Sequence, residues 1–355
     1  MGKDTLGAES LMKILIIANA RRSGGLSGGD NIYLNLAKHF PCKVKIWDML
    51  NIDFKPFWLC YGYRILVACI TALFWKEKYD FVYSASDFLM DSLPGYIMKL
   101  KGNRWIAGFY LFAPKYNRIY YWTQRLAYWI IRKKADIVFI TNDSMRSAFK
   151  HKFTVSVNGG IDLEDTGLGN EERIYDAVFV GRIHKTKGID ELIRIWEQVR
   201  IWIPDASLAI IGDGDMGEDY IKKNVWQNSG ITYFGYQGKE RFAIYKSAKC
   251  VLYPTPEKYD HFSMAPVEAM ACGCPLIAFN IPVMKTIKPP ALFVEDEDGF
   301  AHNICKVITA DPDRYTKISM EAYLWAKGWD WKRNAFRIFN IITERLCLNS
   351  SSEKS

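Results

Sequence analysis

The sequence contains no CxxC pair and no grouping of His and Cys at zinc-ligand spacing, although it holds 8 Cys and 5 His among 355 residues. That excludes a zinc-stapled fold and leaves reduced, unpaired thiols as the reading of Cys42, Cys60, Cys69, Cys250, Cys272, Cys274, Cys305 and Cys347. The opening MGKDTLGAES is polar and lacks the apolar core of a signal peptide. Residues 1–11 read as an extension ahead of the first apolar run, and the closing SSSEKS reads as a disordered tail. An uncharged run of the ~20 residues that a membrane-spanning helix needs is also missing. The nearest approach, Phe57–Trp75, is interrupted by Arg64 and diluted by Cys, Gly and Tyr, so it reads as a buried or interfacial helix. No short-period repeat is present. Nor is there a basic-aromatic RNA motif or a recognition-helix pattern.

What the chain does have is enough apolar character for sizeable cores. Apolar residues make up 49% and charged residues 24%, which excludes wholesale disorder. At ~150 residues per domain, the length suggests two domains. The net charge of +8 is unevenly distributed. Residues 1–157 hold 23 Lys and Arg against 11 Asp and Glu, a net +12, and the remainder holds 24 against 28, a net −4. Aromatics are denser in the first part as well. A basic, aromatic-rich half beside a slightly acidic one points to an anionic partner for the first half.

The apolar pattern alternates between strand and helix along both halves. The run KILIIANA (13–20) is a strand that ends in the Gly-rich SGGLSGGDN, and helical and strand patterns then alternate through FTVSV (153–157). A polar stretch, DLEDTGLGNEERI (162–174), interrupts this order and reads as the link between domains. Alternation resumes with YDAVFVG (175–181) and continues to PLIAF (275–279), and a last helical segment covers 329–346. Strands alternating with helices predict two parallel, doubly wound sheets, with ligands at the carboxyl ends of the strands.

Two constellations carry chemistry. The first is Asp260-His261-Phe262-Ser263-Met264-Ala265-Pro266-Val267-Glu268, followed by AMACG. It places one carboxylate in a loop and the other in the first turns of a helix, whose free N–H groups at Ser263 and Met264 suit a diphosphate. Glu268 can accept two hydrogen bonds from a ribose diol. Two acids alone would equally be a capping acid and a helix-surface acid. The second constellation is Gly181-Arg182-Ile183-His184-Lys185-Thr186-Lys187-Gly188, which follows a strand and opens a helix. Arg182 and Lys187 are placed there to meet phosphate oxygens through charge-assisted bonds, and would stabilise a leaving nucleoside diphosphate without a metal. The GDGD segment (212–215) has the spacing of a metal-binding acidic triplet but reads as a strand-to-helix turn, so neither metal nor cofactor is expected.

The succession of Gly-Arg-…-Lys-Gly, IIGDG, YFGY, YPTP and Asp-x7-Glu-AMACG resembles that of retaining GT-B glycosyltransferases of family four, also called glycosyl transferases group 1. The likeness is close over roughly 175–280 and looser elsewhere, where SGGDN, YSASDFLMD, ITND and VNGGID support it. It implies an α/β GT-B fold of two facing Rossmann-like domains with a deep cleft between them. The first would cover 12–157 plus a returning C-terminal helix, 330–348, and the second 158–329, with flexible ends at 1–11 and 349–355.

It further implies a nucleotide-sugar donor, a UDP- or GDP-sugar, held mainly by the second domain. Arg182 and Lys187 would bind the diphosphate, Glu268 the ribose and Asp260 the sugar hydroxyls, while Phe262, Ser263 and Met264 would offer backbone amides. Gly181, Gly212 and Tyr236 would complete the donor site, and Gly28, Gly29 and Asp30 would face the diphosphate and reacting sugar from the first domain. Arg182, Lys187 and Asp260 would be the catalytic set, with electrostatic stabilisation as the main term. Two departures stand out. Asp260 occupies a place where the family usually has Glu, and His261-Phe262-Ser263 replaces Gly-Phe-Gly. The strand end near 109–113, where the family often carries a His, offers Leu111 or its neighbours.

For the acceptor, helix 118–135 mixes Arg118, Arg125, Arg132, Lys133 and Lys134 with Tyr120, Tyr121, Trp122, Tyr128 and Trp129, the composition of an interfacial helix. An ordinary core helix with solvated basic residues fits equally. The expected acceptor is a lipid-linked molecule or growing glycan at an anionic membrane surface, bound through charge and released by salt. The expected location is cytoplasmic, or peripheral on the inner face of the cell membrane. The competing readings are a nucleotide-sugar epimerase of the same architecture, a nucleic-acid-binding or -modifying protein, and a dead binding scaffold.

Overall fold

The computed structural model describes residues 12–21, 28–113, 118–141, 143–150, 152–157, 159–168, 172–214, 217–224, 229–259 and 263–352. The chain divides into unit 1, Met1–Gly160 with Trp331–Ser355, and unit 2, Ile161–Asp330.

Unit 1 is built on six parallel strands: β1 (Lys13–Ile17), β2 (Lys43–Trp47), β3 (Phe81–Ser84), β4 (Arg104–Gly108), β5 (Ile137–Ile140) and β6 (Phe153–Ser156). Their order is β2-β1-β3-β4-β5-β6, and all neighbours are parallel. Helices cover both faces, which is why β1 reads as a continuous apolar run rather than an alternating one. Ile14 and Ile16 point to the face covered by α1 (Gly28–His39) and α12 (Trp331–Ser352). Leu15 and Ile17 point to the other face, which carries α2 (Phe57–Phe74), α3 (Leu89–Leu100) and α4 (Arg118–Lys134). In that layer α2 packs on α3 and α3 on α4. From α12, Trp331, Ala335, Ile338, Phe339 and Ile342 enter the unit 1 core, a helical stripe that fixes this last segment to the first unit.

Unit 2 repeats the plan with β7 (Tyr175–Val180), β8 (Leu208–Ile211), β9 (Ile231–Tyr233), β10 (Ala248–Tyr253), β11 (Leu276–Phe279) and β12 (Ala291–Val294), in the order β12-β11-β10-β7-β8-β9. One face is covered by α5 (Ile189–Trp202) and α10 (Glu297–Ile308). The other is covered by α7 (Arg241–Lys246), α8 (Met264–Met270) and α11 (Pro312–Ala326). The short α6 (Gly217–Asn224) and α9 (Pro282–Ile287) complete the unit. Strand β12 and the helices α10 and α11 go beyond the sequence reading, which ends the second sheet at PLIAF. Four strand residues between Pro289-Pro290 and an acidic run leave little periodicity to read.

Candidate functional site

All strands of unit 2 are parallel, so their carboxyl ends share one edge. From β7 the chain moves to β8 on one side, whereas β10 pairs with β7 on the other. The gap between the ends of β7 and β10 is therefore the topological switch point, where doubly wound sheets bind ligands. The edge is tightly knit. Gly181 N donates to Ile211 O (3.0 Å), and Gly212 N to Gly235 O (2.8 Å). Gly212 has φ +135°, and a Cβ there would stand 1.8 Å from Gly181 O, so only glycine lets the ends of β7 and β8 approach. Tyr236 follows on the β9 side, 80% exposed.

The loop after β7 is held by Ile183 N donating to Asp213 O (3.1 Å) and by a His184 Nδ1–Thr186 Oγ1 hydrogen bond of 2.8 Å. It ends at Gly188, whose φ is +76°, and a Cβ there would stand 1.9 Å from Pro254 O. That approach sets the Arg182–Lys187 loop directly against the segment leaving β10. Arg182 is exposed and Lys187 half-buried. Desolvation, followed by the charge of Arg182, pulls the Lys187 ammonium down to about 8. Burial and the neighbouring positive charge both disfavour the ammonium, and a bound anion would offset both.

The segment after β10 leads to α8, with Ser263 as its N-cap residue and Met264 its first residue. At seven residues α8 carries little macrodipole, so any attraction at its start comes from individual N–H groups. Asp260, His261 and Phe262 lie outside the described residues. Glu268 is not a bare acceptor. Arg241 grips it in a bidentate pair, Nε to Oε2 at 2.8 Å and Nη2 to Oε1 at 2.9 Å, and the Tyr245 hydroxyl reaches Oε2 at 3.4 Å. The pair raises the pKa of Arg241. Oε2 already accepts twice, whereas Oε1 accepts once and keeps a second lone-pair site that a diol hydroxyl can share. Arg241 was missed in the sequence, since nothing local links it to a residue 27 positions away. In the GDGD segment, Gly212 to Gly214 follow β8 without regular structure, and Asp215 lies outside the described residues.

Unit 1 has its own switch point, between β1 and β3. A cavity of about 320 Å³ lies there, lined by Ala18, Ala20 and Arg21 beyond β1 and by Ala85, Ser86, Phe88 and Asp91 beyond β3. Gly29, Asp30 and Tyr33 of α1 and Phe57, Tyr61 and Arg64 of α2 close it. Thus Gly28, Gly29 and Asp30 open α1, and the last two reach this cavity. Asp91 accepts from Ala20 N (3.0 Å) and Ser86 Oγ (2.5 Å), and burial pushes its carboxyl up to about 7. Asp87 accepts from Gln124 Nε2 (2.8 Å), and burial pushes it up to about 6. Arg64, the lone charge of α2, points inward and donates to Arg21 O (2.7 Å) and Met49 O (2.8 Å). Sequence reading assigns Asp87 and Asp91 no individual role. The available signal was a pair of acids four apart inside an otherwise apolar SASDFLMDSL. At the strand end near 109–113, Leu111 is exposed.

Among the described residues, no three His, Cys, Asp or Glu side chains cluster as a metal site.

Against this geometry, the family match falls within unit 2, and the solved structures reach both units. The family described as Glycosyl transferases group 1 matches residues 175–310. An uncharacterized glycosyltransferase of Methanocaldococcus jannaschii is 29% identical over 152 residues, 40% of this chain and 37% of that protein. The chain thus spans well under half the length of this curated relative. Two solved structures share the fold across both units. Sucrose-phosphate synthase from Thermosynechococcus elongatus has a TM-score of 0.69 at 16% identity, covering 95% of this chain and 100% of that one. A trehalose-6-phosphate protein from E. coli bound with UDP-2-fluoro glucose has a TM-score of 0.63 at 12% identity, covering 91% and 97%. Residues 175–310 are thus similar to the group 1 glycosyl transferases, and the two Rossmann-like units share the GT-B fold of these solved structures.

Proposed function

We propose that the protein transfers a sugar from a UDP- or GDP-sugar to an acceptor hydroxyl, with retention of anomeric configuration. The observation that carries this reading is the Arg182–Lys187 loop. It places two cations, one desolvated, at the switch point of the unit that the family match covers. Arg182 and Lys187 bind the diphosphate, Glu268 shares its carboxylate between Arg241 and the ribose diol, and Asp260 takes the sugar hydroxyls. Gly181, Gly212 and Tyr236 form the floor and side of the donor site. Phe262, Ser263 and Met264 supply backbone N–H groups, and Gly28, Gly29 and Asp30 meet the reacting sugar.

In this reading the bond from the sugar's anomeric carbon to the diphosphate breaks. The acceptor oxygen bonds to that carbon on the same face, and the departing phosphate takes the acceptor's proton. Charge develops on the phosphate oxygens, where Arg182 and Lys187 stand ready before the reaction begins, so no metal is required. The unit 1 cavity, at the lower end of the size range for ligand sites, receives the acceptor. Its lining of Arg21, Asp30 and Asp91 suits a polar head group. The net +12 of residues 1–157 favours an acceptor at the inner, anionic surface of the cell membrane, lipid-linked or a growing glycan.

Calorimetry with UDP and GDP, with and without chelator, tests the donor site. Binding that requires a divalent metal would remove Arg182 and Lys187 from the role of diphosphate clamp. A screen of nucleotide sugars scored by release of the nucleoside diphosphate identifies the donor, and release from none of them would overturn the activity.

A further inference from the structure

Helix α2 is inverted relative to a soluble helix: its one charge, Arg64, is 2% exposed, while its large apolar residues face outward. Leu59, Tyr63, Leu66, Ile70 and Leu73 are all exposed, and they recur at steps of four and three residues, so they form a single stripe along the helix. Trp58 (63%) and Phe74 (78%) extend it at the two ends. The opposite face, Cys60, Arg64, Ala68 and Ala72, is buried against the rest of unit 1. The helix is long and apolar enough to cross a bilayer, yet its ends feed β2 and β3 of one sheet and it lies packed on α3. It cannot leave the sheet to span a membrane without unfolding unit 1.

We infer that α2 lies in the plane of an anionic membrane surface, with its Leu59–Leu73 stripe in the acyl region and unit 1 seated above it. Three features single out a bilayer as the occupant. Aromatic residues stand at both ends, Phe57-Trp58 and Phe74-Trp75, and exposed lysines lie just beyond them at Lys55, Lys76 and Lys78, residue types that settle at headgroup level. On the far side of α3, helix α4 shows a second exposed stripe, Ile119, Trp122, Leu126 and Trp129, and beside it the exposed Arg125, Arg132 and Lys133. A second copy of the chain docked face to face would set these cations against each other, whereas anionic lipid complements them. This inference rests on the helical layer of unit 1 and stands apart from the sugar-transfer reading. It also alters the sequence-based expectation. Charge alone would be released by salt, but an apolar stripe in the acyl region is not.

The test is flotation with phosphatidylglycerol–phosphatidylcholine vesicles at low salt and at about 1 M salt, where charges are screened beyond ~3 Å. The wild-type chain should float under both conditions. Leu66→Glu/Ile70→Glu should lower vesicle partitioning roughly tenfold or more at low salt, since each side chain removed from an apolar phase is worth about a factor of ten. The variant's residual binding should vanish in high salt. Both positions are exposed, so the variant should melt at the wild-type temperature and bind UDP as the wild type does. If neither protein binds UDP, the transfer reading fails and the flotation result still stands. Full release of the wild type by high salt, or equal flotation of the variant, would overturn the membrane seat. So would a wild-type dimer in sedimentation that the double substitution converts to a monomer.

Discussion

The two units share one plan and use it differently. Each has six parallel strands with a switch point beside its first strand, β1/β3 in unit 1 and β7/β10 in unit 2. At that point unit 2 holds Arg182 and a desolvated Lys187, whereas unit 1 holds the buried acids Asp87 and Asp91, with Arg21 and Arg64 at its cavity. Unit 2 thus presents cations at its switch point, and unit 1 buried acids beside two arginines. The outer surfaces differ as well, since the α2 stripe of unit 1 is apolar and exposed. The same topology therefore fixes where ligands bind, and the residues placed there decide which chemistry they meet.

The largest expected effect breaks the unit 2 side of this comparison. Arg182→Ala/Lys187→Ala should weaken UDP binding by roughly a hundredfold or more, because each charge-assisted bond is worth ~1.5–3 kcal/mol. Calorimetry reads it, and the melting of unit 1 should not change.

Next comes Asp91 in unit 1. Its folded pKa of about 7 lies above that of an unfolded Asp, so the stability held by its proton is full below about pH 4. That stability falls as pH rises and is lost above about pH 7. Asp91→Asn keeps an acceptor for Ala20 N and carries no charge. At pH 8 it should be more stable than the wild type by up to a few kcal/mol, with the gap closing toward pH 4. Thermal melts across this range would show it. A constant gap would mean that Asp91 does not titrate there.

Glu268→Ala should weaken UDP binding by ~1.5–3 kcal/mol. Arg241→Ala should produce a smaller loss, because Arg241 orients the carboxylate without being assigned to the donor. Equal losses would mean that Arg241 itself contacts the ligand. The smallest effect concerns pH. With Lys187 at about 8 in the free protein, UDP affinity should fall toward tenfold per pH unit above 8. Calorimetry in buffers of different ionisation enthalpy should show proton uptake on binding. Lys187→Arg should flatten the profile.

Much of the architecture was legible in the chain. Short continuous apolar runs such as KILII and LAII, bounded by turn residues, read as strands buried on both faces, and their alternation with helical patterns predicted parallel order. The Gly181–Gly188 loop was legible too, because an apolar strand, a loop carrying Arg182 and Lys187 and a helix follow one another along the chain, whereas the close approach of Gly188 to Pro254 depends on the fold. The bidentate partner of Glu268 was not legible. Arg241 begins a different helix, and only the packing of α7 beside α8 brings the two together.

The α2 segment divides the same way. Its residues alone specify an apolar helix with one charge, and hydropathy counts Arg64 as an interruption wherever it points. Folding against its neighbours is what turns Arg64 inward to carbonyl partners and leaves Leu66 and Ile70 in the open. Composition and periodicity are properties of one segment. Which face of a helix is covered depends on what packs against it, here α3 and the sheet beneath.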